Sequence, residues 1–188
     1  MLLAFYKPFC VLSQFTADGS ANGNLSAFKF PKNVYPIGRL DADSEGLLLL
    51  SDEATLTAKL LTPEHGHQRS YLVQVERIPD DAALKKLAKG VTIQGYKTRP
   101  CQVSLLASEP ELPPRNPPIR FRKNVPTSWL ALDLVEGKNR QVRRMTASIG
   151  HPTLRLVRWK IGDFTIGGLQ PGEWRELTSA ERLMLFKI

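Results

Sequence analysis

Four consecutive leucines, Leu47–Leu50, stand between Gly46 and Ser51. The run is too short to cross a bilayer and lacks the polar alternation of a half-exposed strand. It predicts a strand buried on both faces. Directly before it lies the densest polar group of the chain, Gly38-Arg39-Leu40-Asp41-Ala42-Asp43-Ser44-Glu45-Gly46. The two glycines permit backbone angles that other residues resist. A turn that feeds a buried strand is well placed to hold a carboxylate rigidly. Local composition alone fits an acidic surface loop equally well.

Other strand-like stretches are Leu2–Tyr6, Tyr71–Glu76, Gln102–Leu106, Trp129–Val135 and Thr153–Trp159, several with period-two alternation. Helical patterns fall between them. Asp52–Leu61 follows Ser51 or Asp52 as a cap. Pro79–Lys89 has acids in front, lysines behind and Gly90 as its stop. Asn139–Ile149 puts Val142, Met145 and Ile149 on one stripe before Gly150, and Ser179–Phe186 closes the chain. Strands and helices mix without a regular β–α alternation, and no glycine-rich loop follows a strand. The expected class is α+β, a largely antiparallel mixed sheet with flanking helices, and not a doubly wound nucleotide-binding sheet. The 188 residues suit a single domain, or two small lobes around a central cleft.

The formal net charge is +8. Such a balance favours a polyanionic partner, although simple solubility also accounts for it. No apolar run approaches the roughly 18–20 residues of a membrane span, and MLLAFYKPF reads as a first strand and not as a signal peptide. Cys10 and Cys101 make no disulfide framework, and Cys10 is expected as a small core side chain in a reducing cytoplasm.

Three further groups bear chemistry. In Glu136–Met145, Arg140 and Arg144 lie four apart and so share a helix face, while Arg143 is turned about 100° away and can point toward an active site. Arg155, Arg158 and Lys160 extend this basic surface. Residues 109–127 form a proline-rich arm carrying Arg115, Arg120, Arg122 and Lys123. An extended basic segment can follow a phosphate backbone, or simply connect two elements. Tyr71, after Arg69 and Ser70, suits either the core or a stack on a base. His65 and His67 lack a local third ligand, and Ser44 has no placeable His and Asp partners.

Together these groups resemble a known family. Gly38-Arg39-Leu40-Asp41, followed by Ser44 and Gly46-Leu47-Leu48-Leu49-Leu50, is similar to the catalytic motif of ribosomal pseudouridine synthases of the small-subunit-enzyme type. Asn139-Arg140-Gln141-Val142-Arg143-Arg144-Met145 resembles that family's later motif, and Lys7-Pro8 its first. Pro114–Arg120, Pro126–Leu130 and Gly172–Glu176 narrow the resemblance to members acting on large-subunit ribosomal RNA. The resemblance implies isomerisation of a uridine to pseudouridine in 23S ribosomal RNA, in the bacterial cytoplasm, without cofactor or metal. It implies Asp41 as the essential carboxylate, Arg143 as its basic partner and Tyr71 as the aromatic platform. Arg39, Arg69, Arg115, Arg120, Arg122, Lys138, Arg140, Arg144 and Arg158 are the expected RNA contacts. The implied partner is large-subunit rRNA or its assembly precursor, met by a monomer away from any membrane. The whole of 1–188 is expected to be one catalytic domain, with no accessory RNA-binding module before it. Two departures bear on local geometry: Arg69 replaces a frequent Lys, and Tyr6 and Cys10 stand where Asn and Gly are frequent.

The residues also admit two other functions. Asp41, Asp43 and Glu45 alternate as in a Mg²⁺-dependent nuclease, and a non-catalytic rRNA-binding or assembly protein needs only the basic surface. Chelation separates them. Pseudouridine formation should be undiminished in excess EDTA, measured on large-subunit rRNA. Strand scission that appears on adding Mg²⁺ would establish the nuclease instead.

Overall fold

The computed structural model describes residues 1–62, 67–119 and 124–186. Arg120, Arg122, Lys123 and His65 lie outside them. The chain divides into two compact units, Met1–His67 with Val157–Ile188, and Gln68–Leu156.

In the first unit the apolar run is the doubly buried strand its composition predicts, and its pairing places it inside the sheet. β1 (Leu2–Lys7) and β3 (Glu45–Ser51) are buried at every position. They pair antiparallel from Leu2 opposite Ser51 to Lys7 opposite Gly46. The other edge of β3 is shared. β2 (Tyr35–Ile37) covers its end antiparallel, and β9 (Thr153–Ile161) meets its beginning in parallel, Glu45 opposite Val157 and Gly46 opposite Arg158. β11 (Trp174–Glu176) lines the outer edge of β1, and β10 (Phe164–Thr165) folds back on β9. Leu3, Phe5, Leu48 and Leu50 pack with Val11, Leu25, Val34 and Leu40 into one core, against Phe15, Phe28, Phe30 and Trp174. α1 (Ala54–Leu61) and α4 (Ser179–Phe186) complete the unit.

In the second unit β4 (Arg69–Glu76) and β8 (Thr127–Leu134) pair antiparallel along their whole length, and β7 (Gln102–Leu105) adds to the far edge of β8. Alternation turns Tyr71, Val73 and Val75 inward with Leu130, Leu132 and Leu134. α2 (Asp81–Ala88), the hairpin of β5 (Thr92–Ile93) and β6 (Tyr96–Lys97), and α3 (Gln141–Ser148) supply Leu87, Val91, Ile93, Val142 and Met145 to the same core.

The class is the α+β arrangement expected, with β3–β9 as a parallel pair among antiparallel neighbours. The helix starts differ. α1 begins at Ala54 and not at Asp52, because Asp52 is drawn to the N-terminal amine of Met1 (2.7 Å) and Ser51 Oγ donates to the Met1 carbonyl (2.6 Å). α2 begins at Asp81, with the Asp80 carboxylate accepting from the Ala83 amide (2.8 Å) and Pro79 outside. α3 begins at Gln141, since Arg140 takes a left-handed conformation (φ 50°). Arg140 and Arg144 therefore do not share a helix face; Arg140 ends the preceding loop.

Gly46 joins the acidic turn to β3. Its φ is +102°, and a Cβ there would run into the backbone of Arg158 on β9. Neither the conformation nor the space admits a side chain. Gly46→Ala should therefore cost about 3 kcal/mol or more, lowering the melting temperature by roughly 6–12 °C in a thermal unfolding scan. An unchanged melting temperature would contradict the close approach.

Candidate active site

The turn bearing Asp41 is held at several main-chain points. Leu40 is buried in the core of the first unit and anchors the turn there. Ser13, itself buried, brackets Leu40 from both sides: its Oγ donates to the Leu40 carbonyl (2.8 Å) and accepts from the Leu40 amide (3.0 Å). The Ser44 amide donates to the Asp41 carbonyl (3.0 Å), which closes a tight turn over Ala42 and Asp43. Asp41 sits half-buried within it, and Arg39 beside it is exposed. The buried Ser44 hydroxyl has no hydrogen-bond partner among the described residues.

The fourth point is Lys7, which is 0% exposed. Its Nζ donates to the carbonyls of Val11 (2.6 Å), Pro8 (2.9 Å) and Ala42 (3.3 Å). An ammonium has three N–H donors, so all are used. Burial pushes its pKa down to about 7, and the charges of Glu45, Asp43 and Asp41 limit the fall. The carbonyl of Val11 comes within reach because the chain doubles back at Cys10, which adopts a left-handed backbone (φ 58°). That is the conformation glycine suits, so the loop keeps a glycine shape without the glycine. Cys10 is exposed and is not the small core side chain expected.

The second unit presents the cations. Lys138, Asn139 and Arg140 are exposed in the loop before α3, and Arg143 and Arg144 are half-buried on its first turns. The Arg143 guanidinium donates to the Thr153 carbonyl (3.5 Å). Arg144 grips Asn139 through both the carbonyl (2.6 Å) and Oδ1 (2.9 Å). Arg69 opens β4 half-buried. Tyr71 is 8% exposed within the core of this unit. The described part of the proline-rich arm is tied down: Arg155 donates to the Pro113 carbonyl (2.8 Å) and Arg115 Nε to that of Pro117 (2.9 Å).

Two of the expected surface cations are not on the surface. Arg155 and Arg158 are each 5% exposed. Arg158 Nε donates to the Leu47 carbonyl (2.8 Å), which ties β9 to β3 below the acidic turn. The sequence residues thus form two groups, Arg39, Asp41 and Arg158 in the first unit, and Arg69, Tyr71, Arg115, Lys138, Arg140, Arg143 and Arg144 in the second. Ser13 and the role of Lys7 escaped the sequence. Lys7 had one signal, a charge closing an otherwise apolar strand, and Ser13 had none. Among the described residues no three His, Cys, Asp or Glu side chains are grouped to hold a metal ion. No described helix is long and apolar enough to cross a membrane.

Residues 1–148 match the family of RNA pseudouridylate synthases. A relative from Vibrio parahaemolyticus, ribosomal large subunit pseudouridine synthase E, is 49% identical over 176 residues, 94% of this chain and 73% of the relative. The protein of the same name from Xanthomonas campestris is 50% identical over 176 residues, 93% of this chain and 94% of that one. A crystal structure of a pseudouridylate synthase superposes with a TM-score of 0.79 at 25% identity, over 98% of this chain and 73% of the other.

Lys7 makes the first unit's stability depend on pH. In the unfolded chain a lysine keeps its proton to about 10.5, but in the fold only to about 7. Between those values the unfolded state binds more protons, so the Lys7 contribution to stability rises with pH. The unfolding free energy of Lys7→Met minus that of the wild type should therefore fall as pH is raised from 7 to 9.5 in denaturant titrations. A constant or rising difference would show that Lys7 is not desolvated.

Proposed function

Because the chain belongs to the RNA pseudouridylate synthase family, we propose that it isomerises a specific uridine in large-subunit ribosomal RNA, with Asp41 as its essential carboxylate. Relatives about half identical to it bear the name ribosomal large subunit pseudouridine synthase E, which supports the choice of RNA. The observation that carries the assignment of Asp41 is the fixed turn. The side chains of Ser13 and Lys7 and the amide of Ser44 bond main-chain groups of the turn and so hold the residues around it while its side chain stays half-buried.

The reaction breaks the bond between C1′ and N1, turns the uracil, and joins C5 to C1′; the proton displaced from C5 ends on N1. Uridine and product are isomers, so the chemistry balances with nothing added. A base stacked in a duplex is out of reach, so the target uridine is unpaired or flipped, at a cost of about a few kcal/mol. Asp41 in its ionised form either attacks the nucleoside as a nucleophile or takes a proton from the sugar as a base. A turn fixed in advance suits both roles, because the carboxylate need not be ordered when the reaction occurs.

Arg143 is proposed as the basic residue of the catalytic set, and Tyr71 as the aromatic that meets the base. Arg39, Arg69, Lys138, Arg140 and Arg144 are proposed RNA contacts. Arg115 and Arg158 already hold backbone carbonyls, so their proposed part is to shape the elements that meet RNA. The proposed partner is large-subunit rRNA or its assembly precursor, with the chain acting as a monomer.

Asp41→Asn keeps the size of the side chain and removes its charge. Product formation should fall by about 10²–10⁴-fold or more, while the Kd for rRNA changes by less than about threefold. Turnover retained in that variant would remove Asp41 from the mechanism.

A further inference from the structure

Glu136 lies between β8 and α3 and is buried, although it is flanked by a loop of exposed residues. Its carboxylate accepts three hydrogen bonds from two directions. Tyr96 Oη (2.6 Å) and the Arg99 amide (2.9 Å) come from the β5–β6 hairpin and the segment after it. Gln141 Nε2 (2.6 Å) comes from the first residue of α3. Gln141 passes the constraint on. Its Oε1 accepts from the Lys138 amide (2.8 Å), and its own amide donates to the Lys138 carbonyl (3.1 Å). Gly137–Arg140 is thereby closed into a turn over a single buried acid.

The turn carries Lys138 and Arg140 outward, and Lys138 Nζ lies 4.9 Å from the centre of the Tyr96 ring. Tyr96 therefore serves twice, holding Glu136 through its hydroxyl and seating Lys138 on its face. Burial alone would push the Glu136 carboxyl up, but the bonds from Tyr96, Arg99 and Gln141 outweigh it and hold the group below the usual carboxylate range. The acid is thus charged wherever RNA is handled. Nothing in the assignment of Asp41 uses Glu136 or Tyr96.

We propose that Glu136 is a positioning residue, which with Tyr96 locks the Gly137–Arg140 turn in the one shape in which Lys138 and Arg140 reach RNA phosphates, so that both contacts are lost when the lock is removed. The proposal rests on the reading of RNA as substrate. Contacts to phosphates outside the reacting nucleoside hold substrate and transition state alike, so their loss raises KM and leaves kcat. Each lost phosphate contact also flattens the dependence of log Kd on log salt, by roughly 0.7 for single-stranded RNA.

The test compares wild type, Glu136→Gln and Tyr96→Phe on unmodified large-subunit rRNA transcript. Glu136→Gln should raise KM about tenfold with kcat within about twofold, and make the salt slope shallower by roughly 1.4, two contacts' worth. Tyr96→Phe keeps the ring and loses one bond to Glu136, so it should shift KM in the same direction by a smaller factor. It carries the test should Glu136→Gln fail to fold. A folded Glu136→Gln or Tyr96→Phe with the wild-type KM and salt slope overturns the proposal. So does a rise in KM at constant slope, or a fall in kcat alone. If wild type itself makes no pseudouridine, the proposed function fails, and the salt slopes of RNA binding still decide on the clamp.

Discussion

An ammonium buried beyond the reach of water is costly, and Lys7 is tolerated because its surroundings are built for it. Three carbonyls take its three donors, and Glu45, Asp43 and Asp41 supply the opposing charge. The same arrangement fixes the acidic turn. β1 delivers the lysine opposite Gly46, the left-handed bend at Cys10 brings the Val11 carbonyl back to it, and the Ala42 carbonyl ties in the residue after Asp41. Pairing of β3 with β1 on one edge and β9 on the other holds this end of the sheet in register. The carboxylate is thus presented by backbone constraints made during folding and not by a mobile loop.

The second unit uses the opposite polarity for a similar end. There a buried carboxylate, Glu136, organises a turn of exposed cations, as the buried cation Lys7 organises a turn of carboxylates. In each case one titratable group inside the protein is hydrogen-bonded to backbone and polar groups of neighbouring segments. Each holds side chains of opposite sign in a set position. The proline-rich arm follows the same logic in its described part, since Arg115 and Arg155 hold backbone carbonyls there.

Much of the frame was legible in the sequence because it follows from apolar patterning. The leucine run matched a strand buried on both faces, the alternation in Trp129–Leu134 matched β8, and Ser179–Phe186 was bounded correctly as a helix. Helix starts were misread where a charged terminus or a left-handed residue outcompeted local capping signals, at Asp52 and Arg140. The candidate site was legible only as motifs. Asp41 and the arginines stood out as residue types, but nothing local reveals that Ser13 would bracket Leu40 or that Arg158 would turn inward to the Leu47 carbonyl. Both depend on pairing between segments far apart in the chain. Cys10 shows the converse: a position where the resemblance leads one to expect glycine keeps the glycine conformation, because the Lys7–Val11 contact requires the chain to double back there.

Whether this chain makes pseudouridine in large-subunit ribosomal RNA is decided by a nucleotide-resolution map of that modification in cells lacking it. If the proposed function holds, one pseudouridine of the large-subunit rRNA becomes uridine in those cells, and re-expression of the chain brings it back. A map identical to that of the parent cells would contradict it.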